Sequence, residues 1–166
     1  MIVLGIDPGL NTTGYGVLEM TPTGVRLVEA GVVRSTQGCS LAEKVCEIHD
    51  GVADVIASLK PEAVAIEELY SHYERPRTAI LMGHARGVIC LAASAAGIAV
   101  SDYPATRVKK TLTGNGRAPK TQMQAAIQQE LGLRALPEPA DVADALAIAL
   151  CHCVAERAAR MGMDVG

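Results

Sequence analysis

Four acids in this chain, Asp7, Glu67, Asp141 and Asp144, stand where side chains from distant segments can meet. Asp7 and Glu67 each follow a short apolar run, Met1 to Ile6 and Ala63 to Ile66, of the kind that forms a buried strand. In an open α/β sheet, ligands collect outside the carboxyl ends of parallel strands, so if these two strands are neighbours their carboxylates meet at one edge. Asp141 and Asp144 lie three apart at the start of a helical pattern, which puts them about 60° apart in direction and ~4.5 Å along the axis. They share a face. Grouping such acids is unfavourable by itself, because repulsion and desolvation raise their pKa values. Divalent cations reverse that balance. Hard oxygen donors suit Mg²⁺ or Mn²⁺, and a pair of such ions can hold the attacking and leaving oxygens of a phosphodiester during in-line displacement. The pattern points to phosphodiester hydrolysis.

Each acid also has a plainer explanation. Asp7 begins an Asp7-Pro8-Gly9 turn, and Asp141 reads as a helix N-cap. Glu67 and Glu68 can be a solvated strand end, of which only one faces a given side. Asp144 resists such a reading, because Val142, Ala143, Ala145, Leu146 and Ala147 surround it and an unpaired carboxylate is costly to bury.

The elements that must position these residues follow from the patterning. After the first strand, Thr13 to Met20 and Val25 to Val33 flank Thr21-Pro22-Thr23-Gly24 and predict an antiparallel hairpin. Ser40-Leu41-Ala42-Glu43 fits a capping box, and Leu41, Val45, Ile48, Val52, Val55, Ile56 and Leu59 recur at helical spacing up to Pro61. The strand Ala63 to Ile66 follows, then a polar loop and an Ala- and Gly-rich helix over roughly Thr78 to Ala96, closed by Gly97. Ile98 to Tyr103 reads as a third parallel-type strand, Thr106 to Thr111 as a basic helix, and Lys120 to Leu131 as another. Pro137-Glu138-Pro139 leads into a final helix, Asp141 to Arg160. A meander followed by alternating strands and helices predicts an α/β fold, a five-stranded mixed sheet with helices on both faces.

The length, 166 residues, fits one domain spanning residues 1–166, with the last few residues expected to form a disordered tail. Hydrophobic residues make up 49% and charged residues 20%, which excludes disordered, collagen-like and coiled-coil classes. With four tyrosines and no Phe or Trp, aliphatic side chains must fill the core. The net charge of −3 excludes a surface that is basic throughout, yet Arg107, Lys109, Lys110, Arg117 and Lys120 fall in a stretch, Tyr103 to Gln129, that holds no acid. That segregation suits a polyanion on one face and cations on another.

Five cysteines at no framework spacing, without a signal peptide, suggest reduced thiols in the cytoplasm. Cys151 and Cys153 flank His152, but residues two apart on a helix point about 200° away from each other, so both thiols cannot close on one ion. The longest uncharged stretch, Gly87 to Ser101, is shorter than the roughly 18 residues a span requires, so no membrane role is expected.

Several motifs occur in a fixed order: Gly5-Ile6-Asp7-Pro8-Gly9 with Thr13-Gly14-Tyr15-Gly16, Ala65-Ile66-Glu67-Glu68, Gly83-His84-Ala85-Arg86-Gly87, Val108-Lys109-Lys110, Lys120-Thr121-Gln122-Met123 and Asp141-Val142-Ala143-Asp144-Ala145-Leu146-Ala147. In that order and over nearly the whole chain, they resemble the RuvC family of bacterial Holliday-junction resolvases. The resemblance implies a ribonuclease H-like fold and a homodimer whose two sites nick opposing strands of a four-way junction, leaving 5′-phosphate and 3′-hydroxyl ends. It implies Asp7, Glu67, Asp141 and Asp144 as an acidic tetrad for Mg²⁺, with Mn²⁺ as a substitute and two ions per site during catalysis. Lys109 and Lys120 match family lysines near the scissile strand, and Lys120 would support phosphate charge or proton transfer. Tyr70 matches an aromatic that stacks on a base beside the junction. The resemblance also implies dimer packing through the helix that carries Arg86, and RuvA and RuvB branch-migration proteins as partners. The loop Ser71 to Arg77 departs from the family pattern: it lacks a frequent asparagine and carries Tyr73, Arg75 and Arg77.

The residues support the same picture on their own terms. Tyr70 and Tyr73 lie in a polar loop just past a proposed site strand, where stacking on an unpaired base is worth about 1 to 3 kcal/mol. Arg75, Arg77, Arg107, Lys109, Lys110, Arg117 and Lys120 can neutralise phosphates. A solvated loop and helix face is the alternative. Gly114 to Thr121 looks like a phosphate loop of the Walker kind, but Pro119 stands where the second glycine must be. An actin-like phosphotransferase needs two such domains, which this length cannot supply. A ribonuclease H-like nuclease acting on RNA or other branched DNA, and a junction-binding module without catalysis, remain as rivals.

Overall fold

The computed structural model describes residues 1–69, 76–135 and 137–162. Among them the chain forms β1 (Ile2–Asp7), β2 (Thr12–Thr21), β3 (Gly24–Arg34), α1 (Leu41–Leu59), β4 (Ala63–Glu67), α2 (Pro76–Ala95), β5 (Val100–Tyr103), α3 (Ala105–Thr113), α4 (Lys120–Glu130) and α5 (Ala140–Arg160). The sheet order is β3-β2-β1-β4-β5. Short turns join β1, β2 and β3 as an antiparallel meander, whereas helical crossovers return β4 and β5 parallel to β1. The expected hairpin and capping box are present, with element ends displaced by a residue or two.

A strand covered on both faces must be apolar at consecutive positions. β1 obeys this: Val3, Leu4 and Ile6 are fully buried. The pleat sends Val3 and Ala65 to one side, where they pack with Val108, Ile127, Leu146 and Leu150 of α3, α4 and α5. Leu4, Ile6, Val64 and Ile66 turn to the other side, against Ile48, Val52 and Ile56 of α1 and Ile89 of α2. Ser40 caps α1 and Glu43 answers it, completing the reciprocal capping box. The long α5 runs across β1 and β2 at close range. A Cβ on Gly5 would collide with the carbonyl oxygen of Ala145 and the backbone nitrogen of Ala149, so only glycine permits that approach.

The helix α2 differs from the others. Ala85, Ile89, Ala92 and Ala93 are buried under the sheet and Arg86 pairs with Asp102 of β5, yet Ile80 and Leu91 are 62% and 58% exposed. By length and composition alone its segment Arg77–Ala95 is long and apolar enough to cross a membrane, which the longest uncharged run did not reveal because Arg86 interrupts the segment.

Candidate active site

Asp7 is the last residue of β1 and Glu67 the last of β4. The two strands are parallel neighbours with Ile6 opposite Ile66, so both carboxylates leave the same sheet edge side by side. After Asp7 the chain turns through Pro8 and Gly9, and the fully buried Thr13 holds that turn: its Oγ1 donates to the Gly9 carbonyl at 2.8 Å and accepts from the Gly9 N–H at 3.3 Å. Asp7 is also paired in register with Gly14 of β2. A Cβ on Gly14 would collide with the backbone carbonyl of Asp141, so the absence of a side chain there lets the first turn of α5 settle above Asp7. Topology thus delivers two of the acids, and glycine contact delivers the helix that carries the other two.

Two details of α5 correct the expectations from sequence. Pro139, not Asp141, is the N-cap, and Asp141 belongs to the first turn. A proline has no side-chain acceptor to offer, so Asp141 complements the helix N-terminus by its charge alone. Asp144, expected to be buried, keeps its side chain 49% exposed and points to Lys120, whose Nζ lies 3.5 Å from Oδ2. Ala143 and Ala145 pack into the core while Asp144 opens into a cavity that Ala147 also lines. An ion pair so exposed stabilises the fold by under about 1 kcal/mol; its relevance is to the site.

That cavity, of about 270 Å³, brings Glu67 and Asp144 together with Lys109 and Lys120, over an apolar wall that includes Val108 and Met123. Electrostatics join Asp7 and Asp141 to it. Burial and the neighbouring charges of Glu67, Asp144 and Asp141 push Asp7 up to about 7, against a smaller opposing effect of Lys120. Burial, then the Asp144 charge, raises Glu67 above the usual range, and Lys109 opposes the rise. Glu68 is exposed, and its backbone N–H donates to the Tyr103 carbonyl at 3.0 Å. Of the adjacent pair, Glu67 faces the site.

A divalent cation fits this donor set. The chain gathers hard oxygen donors around a carboxylate that its own lysines leave undercompensated, and a positive ion lowers the raised pKa values of Asp7 and Glu67. Among the described residues no group of three His, Cys, Asp or Glu side chains is already clustered as a metal cage. The acids therefore share a field more than a finished coordination shell, and gripping an ion requires side-chain rotation.

The basic candidates divide. Lys109 and Lys120 line the cavity. Arg107 lies over the Tyr103 ring, 5.3 Å from its centroid. Lys110 and Arg117 are exposed on the same α3–α4 arm, whereas exposed Arg77 stands at the start of α2. Tyr70, Tyr73 and Arg75 lie outside the described residues. Tyr15 bonds Glu29 across the meander at 2.8 Å, away from the acids. Cys151 and Cys153 are buried in the core, both as free thiols. Sequence reasoning missed Tyr103 and His152, a buried hydrogen-bonded pair 2.9 Å apart between β5 and α5; a polar ring within an apolar helix was the available signal.

The family model for the crossover junction endodeoxyribonuclease RuvC matches residues 3–152. The chain belongs to the RuvC family. A relative from Rhodopirellula baltica, a crossover junction endodeoxyribonuclease RuvC, is 58% identical over 149 residues, covering 90% of this chain and 84% of its own. Thermus thermophilus RuvC superimposes with a TM-score of 0.85 at 38% identity, over 98% of each chain. The same protein in complex with a Holliday junction substrate gives 0.87 at 38% identity, over 98% of this chain and 96% of that one. The expected ribonuclease H-like fold is the one this family member adopts.

Proposed function

We propose that this chain is a divalent-metal-dependent endonuclease that resolves four-way DNA junctions by paired, symmetric nicks. The observation that carries the reading is the meeting of Asp7, Glu67, Asp141 and Asp144 in one electrostatic cluster, with Lys109 and Lys120 facing it across a shared cavity. Family membership and the junction complex of a relative 38% identical support the substrate.

The four acids hold Mg²⁺, two ions in the working site, with Mn²⁺ as a substitute. When bound, such ions activate water and stabilise the attacking and leaving oxygens of an in-line displacement. Asp7, at the centre, must shed its proton to serve; its burial and acidic neighbours hold its pKa at about 7 without metal, so ion binding and proton release go together. Lys120, loosely held and more than half exposed, can leave Asp144 to meet a non-bridging phosphate oxygen. Lys109 anchors the scissile strand, and Arg107, Lys110 and Arg117 extend the same basic arm along the backbone. Arg75 and Arg77 add phosphate contacts beyond it, and Tyr70 and Tyr73 stack on unpaired bases. The products carry 5′-phosphate and 3′-hydroxyl ends.

Two sites acting on opposing strands require two copies of the chain. The exposed apolar side of α2, with Ile80 and Leu91, is the surface on which they pair. Such a protein works in the cytoplasm alongside RuvA and RuvB.

The test is incubation of the purified protein and Mg²⁺ with a synthetic four-way junction, a linear duplex and an RNA–DNA hybrid. Symmetric, religatable nicks confined to the junction are expected. Equal cutting of all three would favour a general ribonuclease H-like nuclease, and binding without cutting would reduce the chain to a junction-binding module.

A further inference from the structure

Acids and basic residues that act on one phosphodiester must be held in a fixed relation, yet they come from different elements. The acids sit on β1, β4 and α5, the lysines on α3 and α4. Much of the seam of α5 is lined by alanine, including Ala143, Ala145, Ala147 and Ala149. Beside the larger Leu146, Ile148 and Leu150, these small side chains add close contact but no directional bond.

A buried directional contact crosses that seam. Tyr103 ends β5 and is 5% exposed; His152, two turns beyond Asp144 on α5, is 4% exposed. The phenol oxygen lies 2.9 Å from Nδ1 of His152, and the rings meet edge to face at 5.8 Å. Burial holds both groups uncharged, lowering the histidine's pKa and raising the tyrosine's. Tyr103 is a junction in three further respects. It stands opposite Glu67 in the β4–β5 register, its carbonyl accepts from the Glu68 N–H at 3.0 Å, and its ring lies beneath the Arg107 guanidinium at the start of α3. A second link follows the same path, from the Cys151 thiol to Thr111 Oγ1 of α3 at 3.5 Å.

The pair is a poor choice if stability were its only purpose. Nε2 of His152 is buried with no hydrogen-bond partner among the described residues, a cost that leucine would avoid. A directional bond kept despite such a cost is suited to fixing register.

We propose that Tyr103 and His152 are positioning residues for strand cleavage: their buried hydrogen bond sets α5 against β5 and α3, and so fixes the separation between the carboxylates and Lys109 and Lys120. The inference rests on the nuclease reading above and goes beyond it, because neither side chain lines the cavity that Glu67 and Asp144 share with the lysines.

Tyr103→Phe is the sharpest probe, since it removes one hydroxyl and leaves the ring under Arg107. Three quantities are read: thermal unfolding, junction affinity with Ca²⁺ in place of Mg²⁺, and single-turnover cleavage with Mg²⁺. Folded Tyr103→Phe should cleave roughly tenfold to a hundredfold more slowly, the scale of a small misplacement of reacting groups, while its junction affinity stays within about twofold of the parent. His152→Gln, which still offers a polar partner to the phenol, should recover part of the rate that His152→Leu loses. The double variant Tyr103→Phe/His152→Leu should be no slower than the slower single one, because both remove the same bond. Cleavage at the parental rate by folded Tyr103→Phe, or a loss of affinity as large as the loss of rate, would overturn the proposal. So would equal rates for His152→Gln and His152→Leu. If His152→Leu does not fold, Tyr103→Phe decides alone. A parent protein that leaves the junction intact would instead refute the nuclease reading itself.

Discussion

The two sides of the cavity are built by opposite means. On the acidic side, Asp7 and Glu67 close buried parallel strands, and α5 is pressed onto the sheet so tightly that Gly5 and Gly14 cannot be replaced without displacing it. On the basic side, Lys110 and Lys120 project into solvent from two short helices and Arg117 from the turn between them, and the ion pair that reaches across, Lys120 to Asp144, is half-exposed. Bond-making groups need sub-ångström placement, which close packing supplies. Phosphate-gripping groups outside the cavity, such as Lys110 and Arg117, act through long-range charge and tolerate more movement. The difference separates cutting from holding, and substitutions on the two sides should fail differently.

The largest effect is expected on the acidic side. Asp7→Asn, Glu67→Gln or Asp144→Asn should each lower junction cleavage by about three orders of magnitude, the scale of several kcal/mol of lost metal-assisted stabilisation. Junction binding should persist or tighten, because anionic repulsion falls, and a gel-shift assay run beside the cleavage assay reads both. Gly14→Ala comes next. Its methyl group pushes the first turn of α5 away from Asp7, so cleavage should fall roughly a hundredfold with about 1 to 3 kcal/mol of stability lost to overpacking, while affinity holds.

A smaller effect concerns stability without metal. Asp7 is raised from 3.8 to about 7 in the folded protein. Between those values the folded form keeps a proton that the unfolded form has released, so stability declines as pH rises through that window. Removing the charge by Asp7→Asn should raise the metal-free stability at pH 8 by about 2 kcal/mol, a figure reduced from the full shift for partial solvation, and should leave it unchanged near pH 3. Chelator-treated samples followed by thermal unfolding across pH provide the check.

Lys109→Ala should show the mildest change, about tenfold weaker junction binding and a salt dependence shallower by roughly one phosphate contact. Cleavage by the bound complex should fall much less than in the acid variants. Acidic and basic variants that lost affinity and rate in equal proportion would erase the distinction between the two sides.

Much of this arrangement was legible in the residues because it rests on local patterns. A buried run ending in an acid marks a parallel strand with a carboxylate at its carboxyl end, and Asp7 and Glu67 both carry that mark. The capping box at Ser40 and the turn before Gly24 are likewise local. What could not be read depends on contacts distant in sequence. Tyr103 and His152 are separated by 49 positions, and nothing in either neighbourhood names the other. Asp144 looked buried because its neighbours are apolar, but a helix turns each successive side chain by about 100°, so one position can face a cavity while the next faces the core. Asp141 looked like a cap because it is a good capping residue, whereas Pro139 already occupies that place.

The central claim is that four separate carboxylates behave as one cation-binding unit organised around Asp7. Calorimetric titration of Mn²⁺ into the parent protein and into Asp7→Asn, at pH 7 in buffers of differing ionisation enthalpy, tests it most directly. The parent should bind the ion and release protons as Asp7, near its midpoint at about 7, is deprotonated; Asp7→Asn should bind at least roughly tenfold more weakly and release none from this position. Equal affinity and equal proton release in the two proteins would contradict the account.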